Sequence, residues 1–392
     1  MEIYLHSDLI YANKLDTHKF ARMLDDTTQC YKFYWLEAII NLISVSDNDL
    51  SFDQIINEMI CEAWYSVTQY HLHLGPQIKG KSENYLEHAV KVLESDNDIK
   101  QPAARMDILS SIIQKEAELK NDKNSLAINV PYRLISSFLD EFDGEESTRI
   151  WDQRRKLIAY IEKTSEQKNL LYTIIDGPGL NKKIRVNKYW KQLILDNFPV
   201  IISWIQLKKI RFLQDRNPGV PGIIYKLSQE NGNVRKLSNT RDLWKAVLES
   251  IGVPFRDIYS GRKLDVFYFD LDHFVPWSYV ANDELWNLIP MEKRLNSSKS
   301  NRLPEWDIYF EGMVSAQYVL YKTVFEFPGI RNQFEKCRRD NLNAIWAAET
   351  LYVDGKSEEQ FKNILERNLK PLNDSAYLQG YGLWKLPDYL AT

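Results

Sequence analysis

Apolar residues recur at steps of three and four along most of the sequence, and this spacing restricts the fold more than any other feature. Leu36 and Ile40 are spaced in this way and would lie on the buried side of a helix over 31–43. Ser51 and Gln54 match a capping box, in which a hydroxyl and an amide side chain satisfy the first free N–H groups of a helix. The first half of the chain is therefore predicted to be mainly helical.

The pattern changes near the middle of the chain. Short apolar runs at 171–175 and 183–186 flank a turn sequence and predict two neighbouring strands. Helical spacing returns from Trp306 to the end. Together these patterns predict a mostly α-helical protein with a small α+β unit and a helical C-terminal region.

A compact stretch between these parts has polar side chains that can carry chemistry. Alternation predicts a strand over 265–270 and a second over 285–289, and 292–301 has good helix formers without a breaker. A strand, a long loop, a strand and a helix can bring distant side chains to one point. The side chains that would meet there are Asp272, His273, Asn287, Asn296 and Lys299.

The residue types in this stretch suit a divalent cation. Carboxylate and amide oxygens, as in Asp272 and Asn296, are hard ligands of the kind that Mg²⁺ and Mn²⁺ prefer. An imidazole beside the carboxylate can stay off the metal and act as a base. Neighbouring strand residues point to opposite faces, so the chain after Asp272 must twist if both side chains are to face one substrate. Asp270 is equally compatible with a supporting role and with a plain strand end.

The spacing of these residues resembles that of the HNH, or ββα-metal, endonuclease family. The string Asp-His-x-x-Pro-x-Ser stands at 272–278. Asn287 follows His273 by fourteen residues, and Asn296 follows after nine more. The pattern is similar to the HNH domain of RNA-guided CRISPR nucleases, and the sequence around it resembles HNH proteins of bacterial anti-phage defence.

The resemblance implies a role for each of these residues. Asp272 and Asn296 would bind Mg²⁺ or Mn²⁺, and His273 would take a proton from the attacking water. Asn287 would belong to the catalytic residues and would support the loop that carries the histidine. Lys299 would contact the phosphate.

The same resemblance implies a metal-dependent endonuclease that hydrolyses phosphodiester bonds in DNA, in bacterial anti-phage defence. Double-stranded DNA is the expected substrate. A partner defence protein such as an ATPase and an oligomeric state both stay open. Two alternatives remain: a non-catalytic nucleic-acid-binding or scaffold subunit with a degenerate HNH domain, and an HNH ribonuclease.

The change of pattern along the chain predicts four regions. They are a helical recognition or regulatory domain at 1–168, a basic connecting and DNA-binding region at 169–256, the HNH nuclease core at 257–304, and a helical region at 305–392 that packs on the nuclease.

A strongly basic segment precedes the proposed site. The segment 181–263 holds 17 basic and six acidic side chains, although the whole chain has a net charge of −4. A solvated helix face would explain this excess, but its position favours a surface that follows the phosphates of DNA. The residues assigned to DNA binding are Lys182, Lys183, Arg185, Lys208, Lys209, Arg211 and Arg302.

The three cysteines, Cys30, Cys61 and Cys337, lie far apart and form no CxxC pair. Many HNH proteins carry zinc-binding cysteine pairs around the motif, so we expect no structural zinc here. The first residues lack the pattern of a signal peptide, and no apolar run reaches the ~18 residues of a spanning helix. We therefore expect a cytoplasmic protein without membrane contact.

Overall fold

A computed structural model of the chain describes residues 15–25, 27–76, 83–95, 99, 103–139, 159–161, 163–165, 169–175, 177–227 and 237–391. The chain divides into two compact units, 1–217 and 218–392. Helices dominate both units, so the predicted mostly α-helical fold with a small α+β unit is confirmed. None of the described helices is long and apolar enough to cross a membrane.

The first unit combines helices with one small antiparallel sheet, in which the strand order is β1-β3-β2 and Ile174 pairs with Ile184. Its described helices include α1 (Thr17–Arg22), α2 (Tyr31–Val45), α3 (Phe52–Thr68), α4 (Tyr85–Glu94), α5 (Arg105–Gln114), α6 (Glu116–Leu134), α7 (Lys188–Asp196) and α8 (Phe198–Arg216). The strands are β1 (Leu50–Ser51), β2 (Tyr172–Ile175) and β3 (Lys183–Val186), and short 3₁₀ turns span Ile135–Leu139 and Gly179–Asn181.

Local sequence signals explain where several of these elements begin. The capping box is present: Ser51 Oγ accepts a hydrogen bond from the Gln54 N–H, and the Gln54 side chain accepts one from the Ser51 N–H. The stripe predicted over 31–43 lies on α2, where Leu36 and Ile40 are fully buried. The core of this unit is rich in large aromatic side chains, with Trp35, Trp64 and Trp190 among the most deeply buried.

The second unit carries the compact stretch. Its helices are α9 (Ile223–Leu227), α10 (Ser238–Ser250), α11 (Trp277–Val280), α12 (Lys293–Lys299), α13 (Trp306–Glu326), α14 (Pro328–Asn341), α15 (Glu358–Leu378) and α16 (Asp388–Ala391), with a 3₁₀ turn at Leu285–Asn287 and a π-helical turn at Ala347–Leu351. The strands are β4 (Asp270–His273), β5 (Leu288–Met291), β6 (Leu303–Pro304) and β7 (Leu383–Trp384). Strands β4 and β5 pair antiparallel, and β6 and β7 pair parallel.

The strand predicted over 265–270 is misplaced, because β4 begins only at Asp270. Asp265 forms a turn instead: its carboxylate accepts the Phe267 N–H and its carbonyl accepts the Tyr268 N–H. Such a turn competes with a strand for the same backbone groups. The second strand also begins later than predicted, since Leu285–Asn287 forms a 3₁₀ turn before β5.

The C-terminal helices pack directly on this stretch. Gln317 of α13 donates from Nε2 to the carbonyls of Leu285 and Leu288, at 3.0 and 2.8 Å. The hydroxyl of Tyr352 donates to Oε1 of the same glutamine at 2.9 Å. Because these three hydrogen bonds are buried, they fix the start of β5 against α13.

Candidate active site

The β4 strand, the β5 strand and the α12 helix form a continuous ββα arrangement. In the antiparallel register Asp272 lies opposite Ile289, and His273 lies opposite Leu288. The α12 helix follows β5 directly and carries Asn296. The chain order predicted from the sequence therefore does place these polar side chains on neighbouring elements.

Asp272 is buried and ion-paired. Its Oδ1 lies 2.9 Å from the Nζ of Lys299, and its Oδ2 accepts a hydrogen bond of 2.6 Å from the Tyr259 hydroxyl. Burial lowers the pKa of Lys299, an effect that the Asp272 charge opposes. Burial and the Asp272 charge together hold the pKa of Tyr259 well above its ordinary value. The hydroxyl therefore stays protonated and donates a hydrogen bond to Asp272.

The position of Lys299 corrects the prediction that it contacts phosphate. Its side chain is fully enclosed and donates both to Asp272 and to the carbonyl of His273, at 2.7 Å for the latter. An ammonium group held in this way is not presented to a ligand. Lys299 instead balances the charge of Asp272 and ties that residue to the backbone of its neighbour.

His273 forms a pair with a second acidic residue. Its Nε2 lies 2.9 Å from Oδ1 of Asp283, and the imidazole is only 5% exposed. A neutral ring that donates from Nε2 carries its lone pair on Nδ1. Asn341 at the end of α14 donates to the Asp283 carbonyl at 2.8 Å. The α14 helix thus helps to fix the backbone of Asp283, whose carboxylate pairs with the imidazole.

Asn287 connects the two sides of the loop that follows His273. Its Oδ1 accepts from the Val275 N–H and its Nδ2 donates to the Val275 carbonyl, both at 2.9 Å. Its own carbonyl accepts from the Phe274 N–H. The side chain is fully buried, so Asn287 supports the loop rather than meeting a substrate.

Replacing Asn287 with alanine should therefore lower the free energy of unfolding by about 2 kcal/mol, because a buried N–H and a buried carbonyl of Val275 lose their partner. Asn287→Asp is the matched variant: it keeps the acceptor and loses the donor. Urea unfolding should rank both variants below wild type, because the aspartate would place a carboxylate oxygen against the buried Val275 carbonyl. Equal stability of all three proteins would contradict this role.

Asn296 lies at the open side of the site. Its Nδ2 is 3.4 Å from Oδ2 of Asp270, whose side chain is 30% exposed. The guanidinium of Arg241 approaches the other oxygen of this carboxylate at 3.8 Å. Of the two interpretations of Asp270, this arrangement favours the supporting role beside Asn296.

The donor set fits a divalent cation. Asp270, Asp272 and Asn296 provide hard oxygen atoms, and a carboxylate has about four lone-pair directions, of which the Tyr259 and Lys299 contacts take two at Asp272. Within the described ranges, no group of three or more His, Cys, Asp or Glu side chains is arranged to hold a metal ion. An ion bound at this site would thus combine carboxylate and amide ligands with water.

A polar clasp occupies the place where many HNH proteins carry zinc-binding cysteines. Asp257 accepts hydrogen bonds from the N–H groups of Tyr259, Ser260 and Glu292, at 2.8, 3.0 and 2.7 Å. Arg262 forms a two-bond ion pair with Glu292, at 2.9 and 3.0 Å. These contacts join the chain before β4 to Glu292, the residue that precedes α12.

Replacing Asp257 with alanine should lower the free energy of unfolding by about 2 kcal/mol, since three backbone N–H groups lose a charged acceptor. The matched change Arg262→Ala should have a smaller effect, because this ion pair is partly exposed. Thermal unfolding of both variants tests the order. A larger loss in Arg262→Ala would show that the ion pair, not Asp257, holds the clasp.

Most of the residues assigned to DNA binding belong to the first unit. Lys183, Arg185 and Arg211 are exposed there, although Arg185 forms a two-bond ion pair with Asp49. Lys182 and Lys208 are half-buried, and Lys208 pairs with Asp25. In the second unit, Arg302 is exposed and donates to the carbonyls of Ser298 and Lys299. Their contact with DNA stays a prediction.

Lys209 requires a correction. It is buried in the first unit, only 5% exposed, and its ammonium group forms an ion pair with the buried Glu37. A charge that is already neutralised in the interior of a helical unit is not available to a phosphate. The spacing of apolar residues along α8 did not show which of the adjacent Lys208 and Lys209 faces the core.

Comparison with known proteins identifies the domain to which this stretch belongs. Residues 257–305 match the model of the HNH endonuclease family. The chain carries an HNH domain. The match covers about an eighth of the chain, and no curated protein and no solved structure matches the sequence. An HNH domain supports nuclease activity, and so a nucleic acid as substrate.

The sequence patterns did not indicate two contacts at the candidate site, those of Asp283 with His273 and of Tyr259 with Asp272. Asp283 stands ten residues after His273, and Tyr259 stands thirteen residues before Asp272. Neither spacing indicates a contact, because each pair meets only after β4 and its flanking loops fold. The absence of cysteines around Tyr259 was the one available signal that other side chains must support this region.

Proposed function

We propose that the HNH domain hydrolyses phosphodiester bonds in DNA with a bound Mg²⁺ or Mn²⁺ ion. The observation that carries this proposal is the His273–Asp283 pair, in which His273 ends β4 next to Asp272 and both residues lie inside the segment that matches the HNH endonuclease family. A carboxylate that fixes one imidazole nitrogen prepares the other to accept a proton.

The residues of the site divide the work. His273 accepts a proton from the water that attacks phosphorus, and Asp283 keeps the imidazole in the required orientation. Asp272 and Asn296 would hold the ion, with Asp270 beside the amide. When bound, the ion offsets negative charge on the phosphate and the departing oxygen. Asn287 keeps the loop after His273 in place.

The biological setting is proposed as bacterial defence against phage. It rests on the resemblance of the sequence around the motif to HNH proteins of such systems. The product ends would be a 5′-phosphate and a 3′-hydroxyl, because water attacks phosphorus and the 3′ oxygen leaves.

One observation favours a second candidate, a non-catalytic HNH subunit that binds nucleic acid. Lys299 already supplies a positive charge to Asp272, and both oxygens of this carboxylate have partners. A binding subunit would keep this pair permanently. An active nuclease would need Asp272 to accept the ion alongside it.

A cleavage assay separates these candidates. The full chain is incubated with plasmid, linear duplex DNA and RNA, each with Mg²⁺, Mn²⁺ or EDTA. We expect DNA to be cut with metal and not with EDTA, and we expect Asn296→Ala to be much slower than Ser297→Ala, its exposed neighbour on α12. Binding without cleavage would indicate the non-catalytic subunit, and cleavage of RNA alone would indicate a ribonuclease.

A further inference from the structure

Two large aromatic side chains stand exposed beside the HNH site. Phe267 is 78% exposed and Tyr268 is 63% exposed, whereas the next residue, Phe269, is buried. The Asp265 turn presents both rings immediately before β4. Neighbouring exposed aromatic side chains lose the stabilisation that burial would give, so such a pair indicates a binding surface.

Cationic side chains surround these rings. Lys293 Nζ lies 3.9 Å from the centroid of the Tyr268 ring, and Lys245 Nζ lies 4.9 Å from that of Phe267. Arg241 stands over Phe269 and donates to its carbonyl. We call Phe267, Tyr268, Arg241, Lys245 and Lys293 the aromatic platform. Its local acidic neighbours are Asp265, in the turn, and Asp270, which Arg241 approaches.

The aromatic platform is adjacent to the residues proposed to act on phosphate. Lys293 begins α12 and precedes Asn296 by three residues, about 4.5 Å along the axis. Tyr268 precedes Asp270 by two residues. A DNA strand with its phosphate at Asn296 can therefore place neighbouring nucleotides on the platform.

Exposed aromatic rings combined with cations are the chemistry that recognises unpaired nucleotides. Bases stack on the rings, and the cations contact the backbone phosphates. The bases of an intact duplex are stacked on one another and do not offer their faces. A protein partner would match the rings, but it gives no reason for three cations next to a phosphodiester site.

We propose that Phe267 and Tyr268 stack on unpaired bases next to the scissile phosphate, so that the HNH domain acts on DNA with a single-stranded segment. This inference rests on the proposed nuclease function and narrows its substrate. It differs from the expectation of a plain double-stranded substrate drawn from the sequence.

The test measures binding separately from cleavage. Fluorescence anisotropy in EDTA compares the full chain on a labelled DNA single strand, its duplex and an RNA strand of the same sequence. We expect the DNA single strand to bind at least tenfold more tightly than the duplex. The double variant Phe267→Ala/Tyr268→Ala should lose roughly tenfold or more per stacked base on the single strand and little on the duplex. The control Tyr389→Ala removes another exposed aromatic ring and should bind like wild type.

Three results would overturn the inference: equal binding of single strand and duplex, unchanged binding by the double variant, or tighter binding of the RNA strand. Because both rings are exposed, the double variant should unfold at the wild-type temperature, which is checked by circular dichroism. Phe267→Trp keeps a stacking surface and should retain single-strand affinity. If the double variant still cuts single-stranded DNA at the wild-type rate, the nuclease function stands and this inference fails. If wild type binds single-stranded DNA through the two rings but cuts no DNA, the stacking surface stands and the nuclease function fails.

Discussion

Replacing His273 with alanine should lower the rate of DNA cleavage by ~10²–10⁴-fold, the range that a general base contributes. Asp283 holds the imidazole, and residues 257–305 contain no other histidine that could replace it as the base. Single-turnover cleavage of a labelled DNA with a single-stranded segment, with excess protein and Mg²⁺, measures this step. DNA affinity in EDTA should stay close to wild type.

Asp283→Asn distinguishes an oriented base from an isolated one. The amide keeps the size of the side chain and loses its charge, so we expect a loss of about tenfold or more, smaller than that of His273→Ala. Asn282→Ala is the matched control, because Asn282 is the exposed neighbour of Asp283. Cleavage by His273→Ala at the wild-type rate would exclude His273 as the base.

Replacing Lys299 with methionine should lower the free energy of unfolding by about 3–5 kcal/mol, the range for removing one partner of a buried ion pair. Both side chains are almost completely buried, and the change leaves the Asp272 carboxylate with the Tyr259 hydroxyl but without a balancing charge. Urea unfolding of the single variant measures the loss. The double variant Lys299→Met/Asp272→Asn should recover much of it, because no uncompensated charge then remains.

An exposed ion pair provides the control for this effect. Lys322 and Glu326 lie one turn apart on α13 with more than half of each side chain exposed, so Lys322→Met should leave unfolding close to wild type. If Lys299→Met behaves in the same way, the Asp272–Lys299 pair does not stabilise the HNH domain.

Periodicity predicted the helices well where one face packs on the core. The predicted strands at 171–175 and 183–186 are confirmed as β2 and β3, because turn residues bound them in the sequence. Pro131 shows the limit of such signals. The sequence favours Pro131 as the first residue of a helix, yet it lies inside α6. Packing of the surrounding helix outweighed the local cost of proline.

The candidate site could be predicted only in part, for a physical reason. Chain spacing revealed Asp272, His273 and Asn296, which lie on the strand and helix of one ββα unit. The spacing could not reveal which charge balances Asp272. Lys299 lies at the end of α12 and meets Asp272 only after the chain turns between β5 and α12. Contacts such as His273–Asp283 depend on the path of a loop, which no periodicity specifies.

The most direct test of the account is mass spectrometry of the ends formed in water labelled with heavy oxygen. Wild-type protein is incubated with a DNA oligonucleotide and Mg²⁺, with EDTA as the control. We expect one heavy oxygen atom in each new 5′-phosphate, an unlabelled 3′-hydroxyl, and no product in EDTA. A labelled 3′-phosphate, an unlabelled 5′-phosphate, or DNA that stays intact under all of these conditions would contradict it.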